Sequence, residues 1–310
     1  MKIYRDVDPV PRPLPYPVVA LGNFDGVHIG HQMIFRRVAE IAKAHQGTGV
    51  AFTFEPHPLK VIQPESAPPL LTTFRKKMEL IEQCGIDLVI CARFNRRLAD
   101  QQPRDFARTY LVEGLGVREV VVGFDYAFGR GREGTIQYLK KMGREFGFEV
   151  HVVEQVKIGG QGVSSSCVRD LLEEGEVEKA AVFLGRPYSV EGPVVHGHKT
   201  GRGIGFPTAN IDTSRVQIPA TGVYAVRVHC EGATYNGVAN IGYNPTFNRD
   251  RLSVEVHIFD FHQQIYGKRV ELIFIGRIRG EQTFDSAEAL VAQIRRDIET
   301  AQSILAGNPA

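Results

Sequence analysis

Five short apolar segments dictate the fold of the first half of this chain. They lie at residues 18–21, 50–54, 88–92, 120–123 and 148–153, rich in β-branched residues and spaced like the strands of successive βαβ units. Patterns of helical period run between them at 32–45, 74–84, 104–112 and 136–146. Pro103 suits the first turn of the third pattern, and Gly47, Gly85 and Gly147 suit the ends of the others. Alternating strand and helix predicts right-handed crossovers and a doubly wound parallel sheet. Such sheets bind ligands beyond the carboxyl ends of their strands, so chemistry is expected in the loops that follow them.

The first of these loops reads Gly22-Asn23-Phe24-Asp25-Gly26-Val27-His28-Ile29-Gly30-His31. A strand, a glycine-rich turn and a helix N-terminus make an anion site, because free N–H groups and the helix dipole face the turn. His28 and His31 stand three residues apart, so they share one helix face where a polyphosphate would sit. After the second strand, Glu55-Pro56-His57-Pro58 sets an irregular turn. After the fourth, residues 123–132 combine glycines with Phe124, Tyr126, Phe128, Arg130 and Arg132, a mixture suited to a flavin or adenine face beside phosphates. After the fifth, Ser164, Ser165 and Ser166 precede a helical run at 170–174, with Arg169 one turn in, as a second anion site.

The second half changes rhythm near residue 185, after helical patterns broken at Gly175 and closed by Gly185. Strand-like runs follow at 194–195, 222–230, 235–241, 253–259 and 270–275, and turn signals at Glu231-Gly232 and Tyr266-Gly267 favour antiparallel pairing. Closing five or six such strands into a small barrel removes their edges. Residues 285–305 form an amphipathic helix, with Asp285 and Glu288 as a capping box. Between boundary and strands stand His196-Gly197-His198-Lys199-Thr200-Gly201-Arg202-Gly203-Ile204-Gly205 and Phe206-Pro207-Thr208-Ala209-Asn210. The alternating Gly201, Gly203 and Gly205 let backbone N–H groups approach a phosphate.

Composition narrows the partners. A net charge of +2 gives no electrostatic case for nucleic acid or an anionic membrane. No apolar run approaches the ~20 residues of a membrane span, and residues 1–17 lack the apolar core of a secretory signal. Four scattered cysteines, without a Cys-x-x-Cys pair, argue against a disulfide framework or a zinc site and fit a reducing cytoplasm.

The Gly22–His31 motif resembles the nucleotide-binding signature of the bacterial FAD synthetases, a branch of the His-x-Gly-His nucleotidyltransferases. The run from Phe206 to Asn210 resembles the riboflavin kinase signature, and 238–242, 254–257, 266–268 and 277–279 match the same family. Together the two sets resemble the bacterial bifunctional riboflavin kinase/FMN adenylyltransferase family over nearly the whole chain. The resemblance implies residues 1–184 as an FMN adenylyltransferase domain and 185–310 as a riboflavin kinase β-barrel. It implies His28 and His31 as the phosphate-contacting pair of adenylyl transfer and Arg169 as a further catalytic residue, with Gly22, Asn23, Phe24, Gly26, Gly30, Ser164, Ser165 and Ser166 around ATP. Ser166 stands where threonine is usual. It further implies Asp125, Phe124, Tyr126 and Phe128 on one flavin and Asn240 and Arg279 on the other. His198, Gly201, Gly203, Gly205 and Pro207 fall on the second ATP, Thr208 and Asn210 on Mg²⁺, and Glu255 takes the role of base. Riboflavin, ATP, FMN and FAD are the implied ligands, and the oligomeric state stays open between a monomer and weak self-association. Two other readings stand beside this one: an adenylyltransferase whose barrel only binds flavin, and a flavin-responsive regulator without catalysis.

Overall fold

A computed structural model describes residues 1–8, 10–196, 205–213, 216–243 and 252–308. His198, Gly201 and Gly203 lie outside these residues. Compactness divides the chain into two units, Met1–Ser164 and Ser165–Ala310.

In the first unit the order is β1 (Lys2–Tyr4), β2 (Pro17–Leu21), α1 (Ile29–Ala44), β3 (Thr48–Glu55), α2 (Pro58–Ile62), α3 (Phe74–Gln83), β4 (Leu88–Arg93), α4 (Arg96–Ala99), α5 (Pro103–Phe106), β5 (Glu119–Gly123), α6 (Ile136–Phe146) and β6 (Glu149–Val153). A two-stranded hairpin, β7 (Lys157–Ile158) and β8 (Gln161–Gly162), completes it. The six strands β1–β6 form one parallel sheet in the order β1-β4-β3-β2-β5-β6. All five anticipated strands are present; β1, too short to show a period, adds itself beside β4. The helix anticipated at 104–112 starts at Pro103 and widens to π-type turns over Ala107–Leu115.

The apolar strands have a simple cause. Val19, Leu21, Val50 and Phe52 point into one core, and Val18, Ala20 and Ala51 point into a second on the other face. A sheet covered on both sides has no polar face, so its strands read as continuous hydrophobic runs. On α1, Ile34, Phe35, Val38, Ile41 and Ala42 supply the covering stripe. Helix α1 ends at Ala44, just before Gly47, where a Cβ would stand 2.3 Å from the Tyr16 carbonyl oxygen. The chain runs from β2 through β3 and β4 on one side, then through β5 and β6 on the other. The switch point therefore lies between β2 and β5, and the loops after these two strands open there.

In the second unit, α7 (Ser165–Glu173) and α8 (Val177–Leu184) precede β9 (Ser189–Val195), β10 (Ala209–Ile211), β11 (Gly222–Cys230), β12 (Ala233–Tyr243), β13 (Leu252–Ile258), β14 (Arg269–Arg279) and α9 (Ala287–Gly307). The strands close into an antiparallel barrel in the order β10-β13-β12-β11-β14-β9. Glu231 and Gly232, both with positive φ, turn β11 into β12 as anticipated. The Tyr266-Gly267 turn does not join a hairpin, because β13 and β14 are not neighbours; Gly267 N–H instead donates to the Val194 carbonyl at 2.9 Å. Arg277 of β14 ties the α7–α8 corner to the barrel, donating to the Glu174 carbonyl (2.9 Å) and the Thr221 carbonyl (3.0 Å). Helix α9 covers Val223, Ala225 and Val238 with Ala301 and Leu305. Its cap is Ser286, whose Oγ accepts from Ala289 N–H at 3.1 Å, in place of the Asp285–Glu288 box expected from sequence.

Candidate active sites

The loop after β2 is built as an anchored turn. Phe24 (φ 53°), Gly26 (φ 80°) and Val27 (φ 42°) all take left-handed conformations, which the surrounding packing must hold. Phe24 is a core residue rather than a ligand contact: it is 1% exposed and packs on Phe35. Gly26 cannot carry a side chain, since a Cβ would meet Leu71 Cδ1 at 2.7 Å. Asp25 is buried and staples the turn to the segment before α3, accepting from Leu71 N–H (3.0 Å) and Thr72 N–H (3.3 Å). The anchoring leaves the loop backbone, Gly22, Asn23 and Gly30 at the mouth of the switch point.

The two histidines meet as anticipated. Their rings stack with centroids 3.6 Å apart and 19° between planes. His28 caps α1, its Nδ1 accepting from His31 N–H at 3.3 Å. His31 Nδ1 is shielded and has no hydrogen-bond partner among the described residues. Burial, then His28, then Lys77 hold the His31 imidazole well below the usual histidine range, so its ring is neutral near pH 7. Lys77 is a site residue that sequence reasoning missed. It lies on the buried face of α3 with Met78 and Ile81, and its Nζ donates to the Asn23 carbonyl (3.3 Å) and Thr53 Oγ1 (3.4 Å). A lysine at a core position of an amphipathic helix was the available signal.

The loop after β5 divides its aromatics. Phe124 and Asp125 are exposed. Phe128 belongs to the core, 8% exposed against Phe106, and is corrected from a flavin face to a packing residue. Tyr126 stacks on Phe128, and its buried hydroxyl has no partner among the described residues; burial alone pushes its pKa far up. Ser165 and Ser166 form the first turn of α7 rather than preceding the helix, and Arg169 is buried on its inner side with Val168 and Leu172.

On the barrel, strand register brings the candidate residues into one row. Asn210 of β10 faces Glu255 of β13, Glu255 faces Asn240 of β12, Asn240 faces Val223 of β11, and Val223 faces Arg279 of β14. Residues opposite one another share a face, here the outer one, since Val254 and Val256 alternate with Glu255 into the interior. Thr208 Oγ1 donates to Glu255 Oε2 at 3.1 Å. The segment before β10 lies along β13: His257 Nδ1 is 2.8 Å from the Pro207 carbonyl and Phe206 meets the same ring edge-on. Pro207 and Gly205 are exposed beside it, Gly205 in a left-handed turn (φ 88°). The Arg279 guanidinium, at the far end of the row, holds Asp297 of α9 through both carboxylate oxygens at 2.8–3.1 Å.

Family models place this geometry. A FAD synthetase model matches residues 13–167 and a riboflavin kinase model matches 184–305. The bifunctional riboflavin kinase/FMN adenylyltransferase of Escherichia coli (strain K12) is 40% identical over 286 residues, covering 92% of this chain and 91% of its own. That of Haemophilus influenzae is 38% identical and covers 98% and 99%. The chain belongs to the bifunctional riboflavin kinase/FMN adenylyltransferase family. A solved structure titled macrolide-efflux protein from Streptococcus pneumoniae superposes with a TM-score of 0.87 at 33% identity, over 97% of this chain and 98% of that one. No helix among the described residues is long and apolar enough to cross a membrane.

As a riboflavin kinase/FMN adenylyltransferase the chain makes FMN from riboflavin and ATP, then FAD from FMN and ATP, with the adenylyltransferase part first and the kinase part second. The family thus accounts for two phosphate-handling regions on one chain, one at a parallel-sheet switch point and one on a barrel face. Chemistry differs accordingly. The attacking FMN phosphate, with a second pKa of about 6, is itself largely dianionic and needs no base.

Proposed function

We propose that the two steps divide as residues 1–184 for adenylyl transfer and 185–310 for phosphorylation, and that Glu255 is the base of the kinase step. The observation that carries this is the row Asn210–Glu255–Asn240 with Thr208 bonded to Glu255. Glu255 accepts the proton of the terminal ribityl hydroxyl as its oxygen bonds to the γ-phosphorus of ATP, and ADP leaves. The hydroxyl of Thr208 and the amide oxygen of Asn210 are hard oxygen donors, which fits Mg²⁺, beside the Glu255 carboxylate kept for the proton. When bound, Mg²⁺ neutralises charge on the transferring phosphates. Asn240 stands on the same row to orient the flavin substrate, and Gly205 and Pro207 border the ATP phosphates.

In the first step of FAD formation proper, a phosphate oxygen of FMN attacks the α-phosphorus of ATP and pyrophosphate leaves. His28 and the 22–30 backbone meet the polyphosphate, His31 supports them as a neutral donor, and Ser164, Ser165, Ser166 and Arg169 supply the second anion contact. Phe124, Asp125 and Tyr126 offer the flavin side of the β5 loop. Alignment and charge neutralisation suffice for this step. The enzyme works in the cytoplasm without nucleic acid or membrane partners, consistent with its small net charge.

Chromatography of flavins over time, with riboflavin, ATP and Mg²⁺, tests the division. Glu255→Gln abolishes FMN formation, by 10²-fold or more, and leaves conversion of supplied FMN to FAD intact. His28→Ala does the reverse. FMN formation within tenfold of wild type in Glu255→Gln would refute the base assignment.

A further inference from the structure

Lys77 carries an inference beyond the two motifs. Lys77 is 7% exposed, and the hydrogen bonds of its ammonium run to the Asn23 carbonyl and Thr53 Oγ1. Its two acceptors are neutral oxygens at 3.3 and 3.4 Å, both longer than a good N–H···O bond. The Asn23 carbonyl does not need it, since Thr53 Oγ1 already donates there at 3.0 Å. Position 77 sits between Met78, Leu80 and Ile81 on the buried face of α3, where methionine would pack without desolvating a charge. A buried cation with long, replaceable bonds is a poor structural choice. It is a good electrostatic one, because its low-dielectric surroundings project the charge onto the turn above it.

We propose that Lys77 is a positioning residue of adenylyl transfer: its buried ammonium, within reach of the Asn23 carbonyl, sits against the Gly22–Gly26 turn and offsets the negative charge that the ATP polyphosphate brings there. The proposal rests on the reading that this turn and His28 meet ATP. The charged and titratable groups around Lys77 are Asp25 of the turn, His31 of α1, Glu55 of β3 and Cys91 of β4. Burial outweighs the neighbouring carboxylates and lowers the ammonium's pKa, so the unliganded site holds its proton less tightly than an exposed lysine. An arriving polyanion restores it. Adenylyl transfer therefore weakens toward alkaline pH sooner than an ordinary lysine would dictate, through the KM for ATP.

The test uses the full-length enzyme, with the first-unit melting transition reporting whether that unit is folded and the kinase reaction serving as an internal control for the second unit. Lys77→Met is expected to raise the KM for ATP in FMN adenylylation tenfold or more, with a smaller change in kcat and kinase activity within twofold of wild type. Lys77→Arg, which stays charged, restores most of that affinity and removes the alkaline limb of the pH profile. A purely structural role moves stability but produces neither the KM-specific loss nor the shifted limb. An unchanged KM for ATP in Lys77→Met overturns the proposal, as does an alkaline limb identical in Lys77→Arg and wild type. If Lys77→Met loses both activities by misfolding, the Lys77→Arg profile decides. His28→Ala run alongside separates the failures: adenylylation surviving it overturns the nucleotide reading itself, whereas its loss beside an unaffected Lys77→Met overturns only the role of Lys77.

Discussion

Asp25 gives the sharpest check on how the nucleotide turn is held. Its carboxylate is 4% exposed and accepts from the backbone N–H groups of Leu71 and Thr72, while Thr72 Oγ1 accepts in turn from Gly26 N–H at 3.2 Å. Asp25→Ala strips two buried amides of their acceptor, each worth about 1–3 kcal/mol when left unsatisfied. Removing a carboxylate from a buried place returns part of that, leaving a loss of about 3 kcal/mol. For a unit of this size each kcal/mol moves the midpoint by about 2–4 °C, so the first unit melts about 6–12 °C lower. Asp25→Asn keeps one acceptor oxygen and loses about a third as much. Scanning calorimetry of the full chain reads this directly, with the barrel transition assigned by the upward shift that riboflavin gives it. Adenylylation falls with the loosened turn and kinase activity does not. A first-unit midpoint within about 2 °C of wild type in Asp25→Ala would refute the staple argument.

Two further outcomes follow from burial. Arg279→Ala removes a bidentate partner from Asp297, itself 3% exposed, and destabilises the docking of α9 by about 3 kcal/mol; denaturant unfolding of a double-mutant cycle with Asp297→Ala shows the pair's losses to be strongly non-additive. Because burial keeps folded His31 neutral below its usual range, the unfolded chain binds the extra proton first; the stability contributed by that neutral ring is present above about pH 6.5 and is lost as pH falls toward the folded value, at up to about 1.4 kcal/mol per pH unit. Urea unfolding of wild type and His31→Gln at pH 7.5 and 5.5 measures it, and a difference between them that does not change with pH would sink the assignment.

What could be read from the chain follows from which forces leave a periodic trace. The sheet was legible because burial on both faces makes the central strand β2 uniformly apolar and leaves apolar runs in β3, β4 and β5, and the barrel because Tyr224, Val226 and Val228 alternate with Arg227 and His229 along β11. Strand β1 was not, since three residues carry no period, nor was the absence of a β13–β14 hairpin, since turn chemistry near Tyr266 specifies a bend and not a neighbour. At the sites, the stacking of His28 on His31 follows from helical spacing. The fates of Phe24, Phe128 and Arg279 do not, because residue type says what a side chain can bind and not whether the core or a neighbouring helix has already claimed it.

Two glutamates make that distinction concrete. Glu119 opens β5 and is buried, with Tyr16 Oη donating to it at 2.8 Å and His151 Nε2 only 2.5 Å away. Both partners come from distant parts of the chain, so no local pattern marks it, and its carboxylate closes a knot that joins the entry of β2 to β6. Glu255 is half-buried in the middle of β13, where alternation alone reads as a solvated strand carboxylate. What separates them is the company across the register: phenol and imidazole fill both oxygens of Glu119, whereas Glu255 is flanked by the amides of Asn210 and Asn240 and touched by one hydroxyl. A buried carboxylate with each oxygen held by its own fold is committed to structure. Glu255, on an outer row with Asn210 and an exposed Asn240 beside it, keeps the capacity to accept a substrate proton, which is what the base role proposed for it requires and what Glu119 does not offer.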